Sequence, residues 1–371
     1  MRGRFFYTGH MKNILENLKN TETKFLETKP LALWLLTCCV MIVMMIVIGA
    51  ITRLTESGLS IVDWHGFKDM VPPLNDAAWH ETFAKYQDSP EYILKNKGME
   101  MEAFKHIYFW EWLHRLWGRL IGFVYLLPLI YFWARGRIPP VMKPRFLAFL
   151  ALGGLQGFVG WYMVKSGLVN EPRVSHFRLA AHLSLALLLL AVLWWHALLL
   201  LPRFRDKLAS FDFNIGFCIK RHYVIGFVLL LGTICWGAFT AGLDAGLACS
   251  DFPKTCAQWL PQELFFQGKF WTNILHEPTA VQFTHRVWGT LTFLMLFTLG
   301  IRLIRTRQAQ LRRLGLHLHV LILFQWLLGI GTVHSHVAVP VAALHQTGAV
   351  LSFLVMITFG LFVAYTPRRA P

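Results

Sequence analysis

Eight stretches of this chain are each apolar enough, and long enough, to cross a lipid bilayer: about residues 31–52, 107–133, 146–164, 179–201, 223–242, 281–301, 314–333 and 341–364. Roughly 20 apolar residues suffice for one crossing. In lipid, a segment must satisfy its backbone hydrogen bonds internally, so each crossing is expected to be a helix. The fold class is therefore an all-α membrane protein. Composition agrees, with only 15% charged residues against about 25% in soluble domains.

The formal net charge is +16. A balance this basic can signal nucleic acid, but here its distribution decides otherwise. Segments 1–30, 134–145, 202–222, 302–313 and 365–371 hold 22 Lys/Arg and 5 Asp/Glu. The alternating segments 53–106, 165–178, 243–280 and 334–340 hold 11 Lys/Arg and 14 Asp/Glu. Lys and Arg collect on the inner side of membrane proteins. Both termini are thus expected inside, and the charge follows topology and the bilayer with no nucleic acid involved. The first 30 residues include Glu16, Glu22 and Glu27, whereas transit peptides are poor in acids. A bacterial inner membrane is the expected location, with the mitochondrial inner membrane as alternative.

The chain repeats itself. Glu111-Trp-Leu-His114-Arg115-Leu-Trp117-Gly118 returns as Gln282-Phe-Thr-His285-Arg286-Val-Trp288-Gly289. Gly49-Ala50-Ile51-Thr52 returns as Gly237-Ala238-Phe239-Thr240, Gln156 and Gly160 as Gln325 and Gly329, and Ala181-His182 as Leu344-His345. The expected organisation is a tail (1–30), a four-helix half (31–201), an inner linker (202–222), a second four-helix half (223–364) and a tail (365–371). An even number of spans separates equivalent helices, so the two bundles share one orientation, related by a pseudo-two-fold axis along the membrane normal.

His114, His182, His285 and His345 fall at one depth, near the outer ends of their spans. Two facing imidazoles ligate a b-type haem, so four such histidines, two per half, point to two porphyrin sites. Of the 36 Lys/Arg and 20 Asp/Glu, only Glu111, Arg115, Arg119 and Arg286 lie within the spans. Charges there are expensive and mark functional candidates. Arg115, Arg286 and Arg178 are candidates for pairing with porphyrin propionates; snorkelling to headgroups is the competing reading. Trp117 and Trp288 share a face with the histidines and could stack on a flat ring. Small neighbours (Gly118, Gly289, Ala180, Ala181, Ala343) leave room for one, or simply let helices pack. Glu111 has no acidic counterpart at Gln282, which marks the first half as the place of chemistry. There it could guide a proton or water, or merely anchor its helix. His334 and His336 in a short outer turn are a weaker metal candidate. Cys249 and Cys256, in an outer loop, are compatible with a disulfide, a free thiol pair or a redox-active pair.

These motifs together resemble the haem A synthase family, from about residue 30 to 364. The residues that carry the resemblance are Glu111-x-x-His114-Arg115, Arg178-x-Ala180-Ala181-His182, His285-Arg286-x-Trp288-Gly289 and Leu344-His345-Gln346. The runs Thr52–Trp64 and Gly160–Leu168 look like the mitochondrial and proteobacterial branch. The resemblance implies oxidation of the ring-D methyl of haem O to a formyl group by successive hydroxylations, giving haem A for cytochrome c oxidase. It implies haem b as cofactor on His285 and His345, and haem O as substrate at His114, His182 and Glu111. A haem O synthase, an unidentified electron donor and a homo-oligomer are the implied partners. It also favours a structural disulfide between Cys249 and Cys256. In the first outer loop, where many bacterial members carry a cysteine pair, this chain has Ile61 and Lys68. The rival readings are a di-haem b cytochrome that only carries electrons, which would not need Glu111, and a haem transporter or chaperone.

Overall fold

The computed structural model describes residues 28–63, 70–165, 167, 173–211 and 213–365. Among them there is no β-strand, and eight helices are long and apolar enough to cross a membrane. In chain order the helices are α1 (Thr28–Leu54), α2 (Asp76–Gln87), α3 (Pro90–Leu94), α4 (Met101–Ala134), α5 (Lys143–Lys165), α6 (His176–Leu200), α7 (Pro202–Ala209), α8 (Phe217–Gly242), α9 (Phe270–His276), α10 (Pro278–Ile304), α11 (Ala309–His334) and α12 (Val339–Ala364). The spanning ones are α1, α4, α5, α6, α8, α10, α11 and α12. The largest departure at an outer end is α4. It starts at Met101, six residues before the apolar run, because Phe104, Ile107 and Tyr108 pack there against the first outer loop.

Helix α1 packs on α4 and α6, and α5 on α6; α10 packs on α8 and α11, and α11 on α12. The seam between these groups is formed by α6 with α8 and by α12 with α1 and α6. Leu31, Leu35, Leu190, Leu193, Leu296 and Phe359 are almost wholly buried in one continuous core. At the rim, Phe158 of α5 and Phe324 of α11 are exposed, as apolar residues facing lipid tails should be. Polar contacts cross the seam: Trp194 Nε1 donates to Thr358 Oγ1 at 2.9 Å, Gln346 Nε2 donates to the Ile46 carbonyl at 3.4 Å, and Arg53 pairs with Asp244 at 2.6 Å.

Pro128 interrupts α4. It has no N–H to give the carbonyl of Val124 four residues back. Trp34 of α1 supplies the missing donor, its Nε1 reaching the Val124 carbonyl at 2.8 Å. An orphaned carbonyl in hydrocarbon is costly, so this bond fixes how α1 and α4 meet.

Both long loops, expected on the outer side, are folded where they are described. In the first, Asn75 caps α2 through the Ala78 N–H at 2.8 Å, and Ser89 caps α3. Tyr86 and Phe104 are fully buried there, with Ile61, Ile107 and Tyr108. In the second, Cys249 and Cys256 form a disulfide. Asp251 accepts from the N–H groups of Cys256 and Ala257, both at 2.8 Å, where the backbone takes positive φ. Burial opposes ionisation of Asp251, but those two N–H groups and Arg286 outweigh it and hold the carboxyl below its ordinary range.

Candidate functional site

Each of the four histidines lies against a glycine of a neighbouring helix. His114 (α4) faces Gly49 (α1), His182 (α6) faces Gly160 (α5), His285 (α10) faces Gly237 (α8), and His345 (α12) faces Gly329 (α11). A Cβ on any of these glycines would come within 3.2 Å of the imidazole. Only a missing side chain lets the ring approach the adjoining helix this closely. The repeat in sequence pairs Gly49 with Gly237 and Gly160 with Gly329, but nothing in the sequence said what they touch.

His285 and His345 face one another with ring centroids 6.4 Å apart and planes at 84°. With each nitrogen about 2 Å from one metal ion, two opposed imidazoles have centroids roughly 6 Å apart. The pair therefore fits a single iron between them. The Nδ1 of His345 lies 3.1 Å from the Gln325 backbone carbonyl and 3.1 Å from the Gln325 side-chain amide. A proton on Nδ1 given to that carbonyl leaves Nε2 as the free ligand atom, the usual outer support of a metal-bound imidazole. In the first half, His114 and His182 are electrostatic neighbours. There the Gln156 amide lies 3.2 Å from Nδ1 and 3.3 Å from Nε2 of His182 and also reaches the His182 carbonyl, so it contacts the imidazole from the side. Buried polar atoms without partners collect around these pairs: Gln156 Oε1, Gln325 Oε1, Gln282 Oε1, His285 Nδ1 and Arg286 Nε. Buried groups of this kind ordinarily have a partner; Arg286 Nε is a donor suited to a porphyrin carboxylate, whereas the three amide oxygens only accept.

Glu111 is almost wholly buried and accepts three hydrogen bonds. Ser60 Oγ donates to its Oε2 at 2.7 Å, the Ile61 N–H donates to the same oxygen at 2.8 Å, and Arg115 donates to Oε1 at 2.7 Å. Arg115 also donates to the Ile61 and Asp63 carbonyls. In the second half, Gln282 donates to the Gly246 and Cys249 carbonyls, both at 3.0 Å. Arg286 donates to the Cys249, Asp251 and Lys254 carbonyls. Each acid or amide, with its arginine, thus clamps an outer loop down on its histidine helix. Ser60 and Ile61 lie in the Thr52–Trp64 run, but their links to Glu111, 51 and 50 residues on, have no local signal.

The other candidates are engaged as follows. Trp117 Nε1 donates to the Met41 carbonyl at 2.9 Å. Trp288 packs on Gly232 and stacks with Trp236, centroids 5.5 Å apart. Gly118 lies beside Met45. Arg178 stacks over the Tyr162 ring and donates to its carbonyl at 2.9 Å. No cluster of three or more metal-ligating side chains exists among the described residues, so His334 and His336 do not extend to one.

A family model described as COX15-CtaA, cytochrome oxidase assembly protein, matches residues 32–357. The chain is 45% identical over 345 residues to Heme A synthase of Rhodospirillum centenum, covering 92% of this chain and 91% of that protein. It is 41% identical over 348 residues to Heme A synthase COX15 of Homo sapiens, covering 91% and 82%. It is 38% identical over 355 residues to Heme A synthase of Nitrosospira multiformis, covering 95% and 97%. A match that runs from α1 into α12 and takes in all four histidines leaves one conclusion: the chain belongs to the COX15-CtaA family of haem A synthases.

Proposed function

We propose that this multi-pass membrane enzyme oxidises the ring-D methyl of haem O to the formyl group of haem A, with the two halves dividing the work. The observation that carries this division is a histidine pair in each half, with rings 6.4 Å apart in the second, and a buried acid in the first half only. His285 and His345 hold haem b; their spacing suits one iron, and Gln325 orients His345. That haem supplies one-electron redox chemistry when bound. His114 and His182 hold the substrate, where the sideways contact of Gln156 suits a ligand that must come and go. The unpartnered Nε of Arg286 faces the need for a propionate donor in the second half, and Arg115 and Arg178 are the corresponding cations of the first. Trp117 and Trp288 shape the walls beside them.

Glu111 handles a proton in this reading. Ser60 Oγ lies 2.7 Å from Glu111 and 3.1 Å from the Ser57 carbonyl, and its single proton can serve only one of them. When Glu111 takes up a proton on Oε2, it donates to Ser60, and the hydroxyl turns to Ser57. The site thus holds or releases a proton without disturbing the loop. Each half forms a bundle, both termini lie inside, and the membrane is a bacterial inner membrane. A haem O synthase delivers substrate and a separate donor or acceptor exchanges electrons.

Pigment extraction from the purified protein tests the reading. Haem A or hydroxylated haem O alongside haem B is the expected result. Haem B alone, at two equivalents per chain, would replace it with the di-haem cytochrome.

A further inference from the structure

A carboxyl group is buried in the first outer loop beside a single side-chain donor. Glu91 of α3 is 3% exposed. Tyr86 OH donates to it at 3.1 Å, and the same phenol oxygen accepts from Asn96 Nδ2 at 2.7 Å. Tyr86 and Phe104 form the fully buried centre of an aromatic cluster, with Trp79, Phe83 and Tyr92 around them. Ile61 belongs to the same cluster, and its N–H is one of the three donors on Glu111. The loop bonded to Glu111 and Arg115 on the His114 helix is therefore built over a buried acid.

The charged and titratable groups facing Glu91 are Tyr86 from α2, Lys95 just past α3, Glu56 past the end of α1, and Glu111 of α4. Lys95 is also shared with Glu56, at 3.7 Å. Burial, the largest influence, pushes the Glu91 carboxyl up to about 7; the Tyr86 hydrogen bond opposes that, and Glu111 adds to it. The second outer loop is held differently. Its Cys249–Cys256 disulfide is a covalent staple that no change of pH within the physiological range would open.

We propose that Glu91 is a positioning residue, a proton-operated latch on the first outer loop. As a neutral acid it stays in the aromatic cluster and keeps Ser60 and Ile61 on Glu111. As a carboxylate it leaves the cluster, its O–H proton passing to outer water, and α2 and α3 loosen from the Phe104–Tyr108 surface of α4. The functional meaning rests on the reading above, in which the first half takes a passing substrate and the second a resident cofactor.

The direction with pH follows from the raised value. The closed loop binds the proton more tightly than the open one, so closure is strongest below the ordinary carboxyl value of 4.5. It weakens as pH rises from there to about 7, by up to about tenfold per pH unit, and levels off above.

Hydrogen exchange of the intact protein in nanodiscs, across pH 5–8, measures this without substrate, so its failure would leave the haem A synthase reading standing. After correction for intrinsic amide chemistry, residues 76–100 of the natural protein should exchange faster as pH rises and plateau above 7. Residues 249–277 should not change. Glu91→Gln, which still accepts from Tyr86, should flatten the rise. Tyr86→Phe, which removes the one donor favouring the carboxylate, should move the plateau to higher pH and serves if Glu91→Gln does not fold. A natural protein with no excess rise, or a Glu91→Gln protein with an undiminished one, would overturn the latch.

Discussion

Glu111 and Gln282 occupy equivalent places in the repeat and hold their outer loops with opposite hydrogen-bond polarity. Glu111 accepts from the Ile61 N–H at 2.8 Å, whereas Gln282 donates to the Cys249 carbonyl at 3.0 Å. The difference between the halves is therefore more than a charge. It reverses which backbone group of the loop is bound and, in the first half only, it pairs the side chain with its arginine at 2.7 Å.

Glu111→Gln should lower haem A output sharply while haem b remains. An amide has one acceptor oxygen, so it can keep Arg115 or the Ile61 N–H but not both, and a loss of about 1–3 kcal/mol is expected. Ser60→Ala separates the two roles of Glu111. It keeps the Ile61 and Arg115 contacts and removes only the proton partner. A matching fall in extracted haem A would support proton handling; normal output from Ser60→Ala would leave Glu111 as a loop clamp.

His285→Ala should abolish the low-spin b-type spectrum of the purified protein, since it removes one of the two opposed imidazoles. An unchanged spectrum would show that the ligands lie elsewhere.

The glycine cradles give a paired prediction. Gly329→Ala places a Cβ 2.9 Å from His345 Cε1, and Gly160→Ala does the same to His182. Gly329→Ala should reduce retained haem b several-fold. Gly160→Ala should leave the haem b spectrum intact and reduce haem A. Equal effects of both on haem b would contradict the division between halves.

Cys249 and Cys256 should resist maleimide in intact protein until reduced, and label after. Replacing both by serine should destabilise the second outer loop by about 2 kcal/mol, the order expected for closing a short loop. Proteolysis rates between residues 249 and 277 would report it.

Trp34→Phe keeps the aromatic contacts with Tyr125 and Phe146 but leaves the Val124 carbonyl beside Pro128 without its donor. A loss of about 1–3 kcal/mol is expected. A melting temperature equal to that of the natural protein would mean that the carbonyl finds another partner.

The eight crossings were legible in the sequence because a bilayer imposes one solution on a long apolar run. The four histidines stood out as candidates because duplication repeated them, and the structure sets each against a glycine. The start of α4 at Met101 was not, since Phe104, Ile107 and Tyr108 become helical surface only once a folded loop covers them. Nor was the Glu91 cluster, whose residues look like ordinary positions of an acidic loop until α2, α3 and α4 bring them together.

What the sequence determined by itself was the number of spans, the repeat, and the residue types able to hold iron and move a proton. What only the tertiary structure decided was which groups those residues face: glycine against each imidazole, Gln325 behind His345, Ser60 and Ile61 on Glu111. The physical reason is range. Hydropathy and helical period act over a few turns of one segment. A hydrogen bond from Ser60 to Glu111, or an imidazole set against Gly329, exists only after separate helices have packed.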